Sequence, residues 1–161
     1  MLEDACRQAG VSPLRVRFVE AHGTGTRVGD PAEVEGLNRV LGAGRPKDQP
    51  CFIGSGKTNI GHSEGAAGIA GLIKAALILK HRTIPPSLHC ANPNPNIPWD
   101  NIPFIVQQEA AAWPAGDYPA LAGVNSFGIF GTNAHAVLEE APPAAPAPRS
   151  PQRAPGVAQI L

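Results

Sequence analysis

Three strand-like segments, residues 15–20 (RVRFVE), 51–53 (CFI) and 120–126 (ALAGVNS), each run directly into a loop of small and polar residues. Helical patterns separate the first two and follow the second. At residues 30–33, Asp30 reads as a cap, Pro31 as the first helical position and Glu33 as a capping-box acid. Val34, Leu37 and Leu41 follow at i, i+3 and i+7, which makes one buried stripe. Ser63 reads as the cap of a second helix over residues 64–80. Strands alternating with helices predict the α/β class. In open sheets of that class, ligand crevices form beyond the strand ends, which places the three loops at the centre of any functional reading.

The remaining segments set the domain plan. Gly65, Gly68 and Gly71 recur every three residues in the second helix, each costing up to ~1 kcal/mol relative to alanine, and this predicts close helix-to-helix packing. Residues 84–103 are proline-rich and read as a surface excursion, and residues 134–139 as a last strand. From residue 141 the chain reads APPAAPAPRSPQRAPG, a semi-extended linker. The plan is therefore one domain over residues 1–140 and a linker over 141–161. Residues 1–10 read as the end of a helix with nothing ahead to pack it, as if the chain began mid-fold.

Composition excludes several classes. With 13 Lys+Arg against 13 Asp+Glu there is no broad field to hold nucleic acid or an anionic membrane. Cys6, Cys51 and Cys90 form neither a CxxC nor a zinc-type cluster with histidine, so they read as reduced thiols without a metal. Glu3, Asp4 and Arg7 interrupt any N-terminal leader, and the apolar run over residues 66–79 contains Lys74 and is too short to span a bilayer. The expected location is cytoplasmic.

The loops carry the candidate chemistry. In EAHGTGT (residues 20–26), glycines permit close backbone approach, threonine hydroxyls can bond an amide-bearing substrate, and a neutral imidazole can donate to a developing negative charge. GSGKTNIGH (residues 54–62) suggests a phosphate-binding loop, but Cys51 stands where GxxxxGK[ST] needs its first glycine, and the helix is expected after His62 rather than at Lys57. What remains is Lys57 as a fixed positive charge and His62 before a helix N-terminus, suited to donating a hydrogen bond to an enolate. In NSFGIFGTNAH (residues 125–135), backbone N–H groups of the turn can form an oxyanion site. His135 shares a strand face with Val137 and is read as structural, while His81 and His89 are assigned no role.

Taken in order, EAHGTGTRVGDPAEVE, GSGKTNIGHSEGAAGIAGLIK and GVNSFGIFGTNAHAVLEEAP resemble the C-terminal half of the β-ketoacyl synthase domain of modular type I polyketide synthases. The resemblance spans residues 10–143. It implies a thiolase-like fold, C-terminal half only, with a mixed sheet and packed helices. It implies decarboxylative Claisen condensation of a malonyl-type unit carried on the phosphopantetheine arm of an acyl carrier protein, with no other cofactor. By motif position it implies that His22 and His62 stabilise the enolate or thioester oxygen, that Lys57 organises them, and that Thr24 and Thr26 bind the phosphopantetheine arm. The backbone N–H of Ile129 matches the oxyanion donor.

Three departures accompany the resemblance. The family's nucleophile lies in a TACSS-type motif of the first half, and none of Cys6, Cys51 or Cys90 has that context. Phe130 stands where a small residue is usual, and Gly56 where a serine-like one is. The implied partners are thus the carrier protein and an N-terminal half, in cis or in trans, with self-association through an uncovered packing face. A non-catalytic remnant or interaction module is the alternative. A coenzyme A-dependent thiolase is a third reading, opposed by the lack of a second cysteine to act as base.

Overall fold

The computed structural model describes residues 1–116 and 118–143, so the expected linker lies outside the described residues from position 144 onward. β1 (Val16–Glu20) is central, pairing in parallel with β2 (Cys51–Gly54) on one side and β6 (Leu121–Phe127) on the other. β4 (Phe104–Val106) extends the sheet beyond β2, and β7 (Asn133–Glu139) closes the far edge antiparallel to β6, giving the order β4-β2-β1-β6-β7. β3 (Thr83–Ile84) and β5 (Ala111–Ala112) form a separate antiparallel pair.

All five residues of β1 are buried because both sheet faces are covered. On one face, α1 (Leu2–Ala9) and α2 (Gly29–Leu37) bring Cys6, Val34 and Leu37 against Val16, Val19 and Phe104. On the other, α4 (Ala67–His81) brings Ala75, Ile78 and Leu79 against Phe18 and Val124. Register fixes the functional edge: Glu20 lies beside Gly54 of β2 and Val124 of β6. The loops that follow these three strands therefore leave the sheet on the same side.

Several local expectations are corrected. α2 begins at Gly29, and Asp30 is not its cap; Thr26 Oγ1 accepts the Gly29 N–H at 3.1 Å, and Asp30 accepts the Gly25 N–H at 3.1 Å. Glu33 closes no capping box, because its carboxylate turns inward to the β1 loop. A one-turn helix, α3 (Lys57–Ile60), does begin at Lys57. α4 starts at Ala67 after a 3-10 turn over Glu64–Ala66, and the Ser63 side chain caps neither. Two of the three periodic glycines, Gly68 and Gly71, serve helix-on-sheet packing instead of helix-on-helix packing. A Cβ at Gly68 would lie 3.1 Å from Ser126 Oγ and one at Gly71 3.1 Å from Glu20 Cγ, while Gly65 faces open space. The proline-rich stretch is partly core, with Ser87 and Ile97 buried and Trp99 packed on the α1/α2 side.

One face of α4 is left uncovered. Ile69, Ile73 and Leu77 follow one another at four-residue spacing and are 56%, 52% and 47% exposed. Among the described residues no helix is long and apolar enough to cross a membrane.

Candidate active site

The β1 loop is anchored by a buried acid. Glu33, on α2, accepts the His22 N–H at 2.8 Å, the Gly23 N–H at 2.9 Å and the Asn125 side-chain amide at 2.8 Å. With its nitrogen committed to Glu33, the Asn125 amide turns its oxygen to His135 Nδ1 at 2.6 Å, so that nitrogen carries the proton. His135 Nε2 is buried without a hydrogen-bond partner among the described residues. Burial pushes the His135 pKa down from the ordinary 6.5 to about 4.

The linkage has a definite sign. Between about pH 6.5 and about pH 4, unfolded chains take up a proton at this histidine that folded chains refuse, so stability falls as the pH is lowered through that window. Urea unfolding across it should show a pH slope that His135→Gln reduces. An equal slope in both proteins would remove His135 as its source.

The two candidate histidines come together. Their ring centroids lie 5.4 Å apart, edge to face at 80°. His22 Nδ1 accepts the Phe127 N–H at 3.3 Å, and its ring lies 5.3 Å from that of Phe127. His62 Nδ1 accepts the Glu64 N–H at 2.9 Å, so His62 itself satisfies the start of the turn before α4. A nitrogen that accepts from an amide carries no proton. With Nδ1 accepting, each ring has Nε2–H as its remaining donor. Burial first, and then the Lys57 charge, push the His22 pKa down, which keeps this imidazole neutral near pH 7.

Lys57 is half-buried at the start of α3, and burial lowers its pKa while the charges of Glu20 and Glu33 oppose that shift. Glu20, at the end of β1, is 3% exposed; Lys74 Nζ approaches one carboxylate oxygen at 2.6 Å and the Gly56 N–H donates to the other. Burial raises the Glu20 pKa, against the Lys74 charge. Glu20, Glu33, Lys74 and Asn125 are missing from the sequence-derived site. Glu20 opens the first loop motif and Asn125 the third, while Glu33 reads there as a capping acid and Lys74 only as a charge within an apolar run.

The remaining candidates sit at the rim. Thr24 is half-buried; Thr26 is exposed, and its oxygen already serves the Gly29 N–H, leaving its own hydroxyl hydrogen to donate. Ile129 and Phe130 stand at the tip between β6 and β7, 93% and 98% exposed. Gly128 and Gly131 N–H groups close that turn internally, leaving the Ile129 N–H without a partner among the described residues. A cleft of about 350 Å³ lies beside Glu20, Lys57, Lys74 and Leu88, and another of about 700 Å³ beside Gly25, Arg27, Thr58 and Trp99. His22 and His62 line neither. Burial pushes the Cys51 thiol up to about 12 and raises those of Cys6 and Cys90 as well, so none of the three is a ready thiolate.

Residues 1–91 match the family described as Beta-ketoacyl synthase, C-terminal domain, and residues 93–161 the Ketoacyl-synthetase C-terminal extension. The chain is 51% identical over 148 residues to a component of the phenolphthiocerol/phthiocerol polyketide synthase of Mycobacterium tuberculosis, covering 92% of this chain and 8% of that protein. It is 52% identical over 153 residues to the erythronolide synthase EryA3 of Saccharopolyspora erythraea, covering 93% of this chain and 5% of that one. It thus spans less than a tenth of these relatives. Among solved structures it superposes on the oxazolomycin ketosynthase domain OzmH KS7 of Streptomyces albus with a TM-score of 0.83 at 39% identity, covering 92% of this chain and 27% of that one. Ketosynthase twelve of the bacillaene synthase of Bacillus amyloliquefaciens gives 0.81 at 39%, with coverages of 90% and 26%. The family matches, the relatives and the superpositions agree: the chain belongs to the β-ketoacyl synthase family, as the C-terminal part of a thiolase-like ketosynthase domain of the polyketide synthase type.

Proposed function

We propose that this chain supplies the decarboxylating half of a condensing site, and that it works only with a first half bearing the nucleophilic cysteine, in cis or in trans. The observation that carries the reading is the pairing of His22 and His62, each with Nδ1 occupied by a backbone N–H, which leaves Nε2–H as the donor. In the reaction proposed, the bond from the α-carbon of a malonyl-type thioester to its carboxylate breaks and CO2 leaves. The electron pair moves to the thioester oxygen, where two preorganised N–H donors stabilise the enolate. Its α-carbon then attacks the acyl thioester on the partner cysteine. The Ile129 N–H, with the cysteine's own N–H, receives the oxyanion of that step, and the cysteine thiolate departs.

Thr24 and Thr26 are assigned to the phosphopantetheine arm of an acyl carrier protein, the only carrier group the reading requires. Lys57 orients the pair and keeps its surroundings positive. The Ile69, Ile73 and Leu77 row is assigned to the contact with the first half, and in the chain alone that row would promote self-association.

The chain alone, incubated with an acyl thioester, is expected to form no covalent acyl adduct by mass spectrometry. Adding a cysteine-bearing first half is expected to restore condensation onto a malonyl-loaded carrier protein. Stable acylation of the chain by itself would remove the half-site reading. Failure to restore condensation would favour a non-catalytic remnant or interaction module.

A further inference from the structure

Glu20 ends the central strand with both parallel neighbours in register beside it, in the most enclosed position at the functional edge. A carboxylate taken out of water there is costly unless it is paired and hydrogen-bonded. Lys74 supplies the pairing from α4 at 2.6 Å, its ammonium lying 5.6 Å from the centre of the Phe18 ring. The other oxygen accepts the N–H of Gly56, the residue immediately before Lys57 and the cap of α3. Space for this contact exists because Gly56 has no side chain: a Cβ there would lie 3.2 Å from Glu20 Oε1. One carboxylate thus joins three segments, its own strand leading into His22, the loop leading into Lys57 and His62, and α4.

Packing alone does not require a charge pair here, since apolar residues of similar volume commonly serve as well or better. We propose that Glu20 and Lys74 are a positioning pair that holds the Lys57 segment against the His22 loop and sets the charge surrounding the Lys57 ammonium. This rests on the proposed function, in which Lys57 acts in the site. The charged or titratable groups acting on Lys57 or paired with it electrostatically are Glu20 from β1, Glu33 from α2, Lys74 from α4 and His22 from the loop. Within that set Glu20 and Lys74 act with opposite sign, so removing each in turn must move Lys57 in opposite directions.

The test uses the assembled synthase with 13C-dimethylated lysines, the Lys57 signal being assigned by comparison with Lys57→Arg. Glu20→Gln preserves shape and the bond to Gly56 but deletes the negative charge; the Lys57 midpoint is expected to fall by about one pH unit. Lys74→Met deletes the positive charge, and the midpoint is expected to rise by about one unit. The paired variant Glu20→Gln/Lys74→Met is expected to return close to the parent value. Should Glu20→Gln fail to fold, the rise in Lys74→Met and its reversal in the paired variant decide the matter. Unchanged midpoints, or shifts of one sign in both single variants, would overturn the pair. Condensation is followed in parallel: a parent synthase that condenses nothing would overturn the proposed function, while the Lys57 shifts still decide the pair.

Discussion

Replacing His62 with alanine in the assembled synthase is expected to lower decarboxylative condensation by about a hundredfold or more, the usual consequence of deleting one preorganised donor at a developing negative charge. Transfer of the acyl group to the partner cysteine should stay within about twofold, because that step does not use this donor. The separation is clean at His62 in particular. Its side chain is exposed, and the one hydrogen bond it makes among the described residues, from the Glu64 N–H, can pass to water at a cost on the order of 1 kcal/mol or less. His22 lacks this advantage, since its ring also packs on Phe127. Release of labelled CO2 from a malonyl-loaded carrier, with acyl-enzyme measured by mass spectrometry, separates the two steps. Equal loss in both would make His62 structural, and unchanged CO2 release would remove it from the site.

Substituting Glu33 with alanine is expected to cost at least roughly 3 kcal/mol of stability. Three donors, the His22 and Gly23 N–H groups and the Asn125 amide, converge on this carboxylate, and each costs about 1–3 kcal/mol when left unsatisfied. In a domain of this size that lowers the melting temperature by on the order of 6–12 °C. Glu33→Gln retains one accepting oxygen and should fall between the parent and the alanine variant. Thermal unfolding of the three proteins measures the series. A loss below about 1 kcal/mol in Glu33→Ala would mean that water replaces the carboxylate, and that the loop is held by other means.

Glu33 also marks where sequence reasoning reaches its limit. Its place three residues after Asp30 meets a local rule for helix starts, yet its partners come from the β1 loop and from Asn125, ninety-two positions away. Local capping rules do not register an acceptor required by distant donors. Lys57 illustrates the same limit at shorter range, since a single turn such as α3 is too brief to leave a periodic pattern. The first two strands are legible because the segment of β1 alternates apolar and polar residues and β2 is a short apolar run that stops at a glycine loop. Both histidines are legible as strand-end and helix-start residues. Their tautomers are not, because those depend on the Phe127 and Glu64 amides reaching the rings in three dimensions. The glycine triplet signals a close approach but not the neighbour that makes it, since a missing Cβ says that something comes near without saying what.

Glu33 grips its loop by peptide groups, at His22 and Gly23, and among the described residues makes no hydrogen bond to the loop side chains that follow. Such a grip is indifferent to what those side chains are. Arg27 is therefore an exchangeable fitting on a fixed mount, free to change by single substitution without re-solving where the imidazole must stand, whereas Thr26 also closes the start of α2. A change at Glu33 has the opposite reach, because it displaces every fitting on the loop at once.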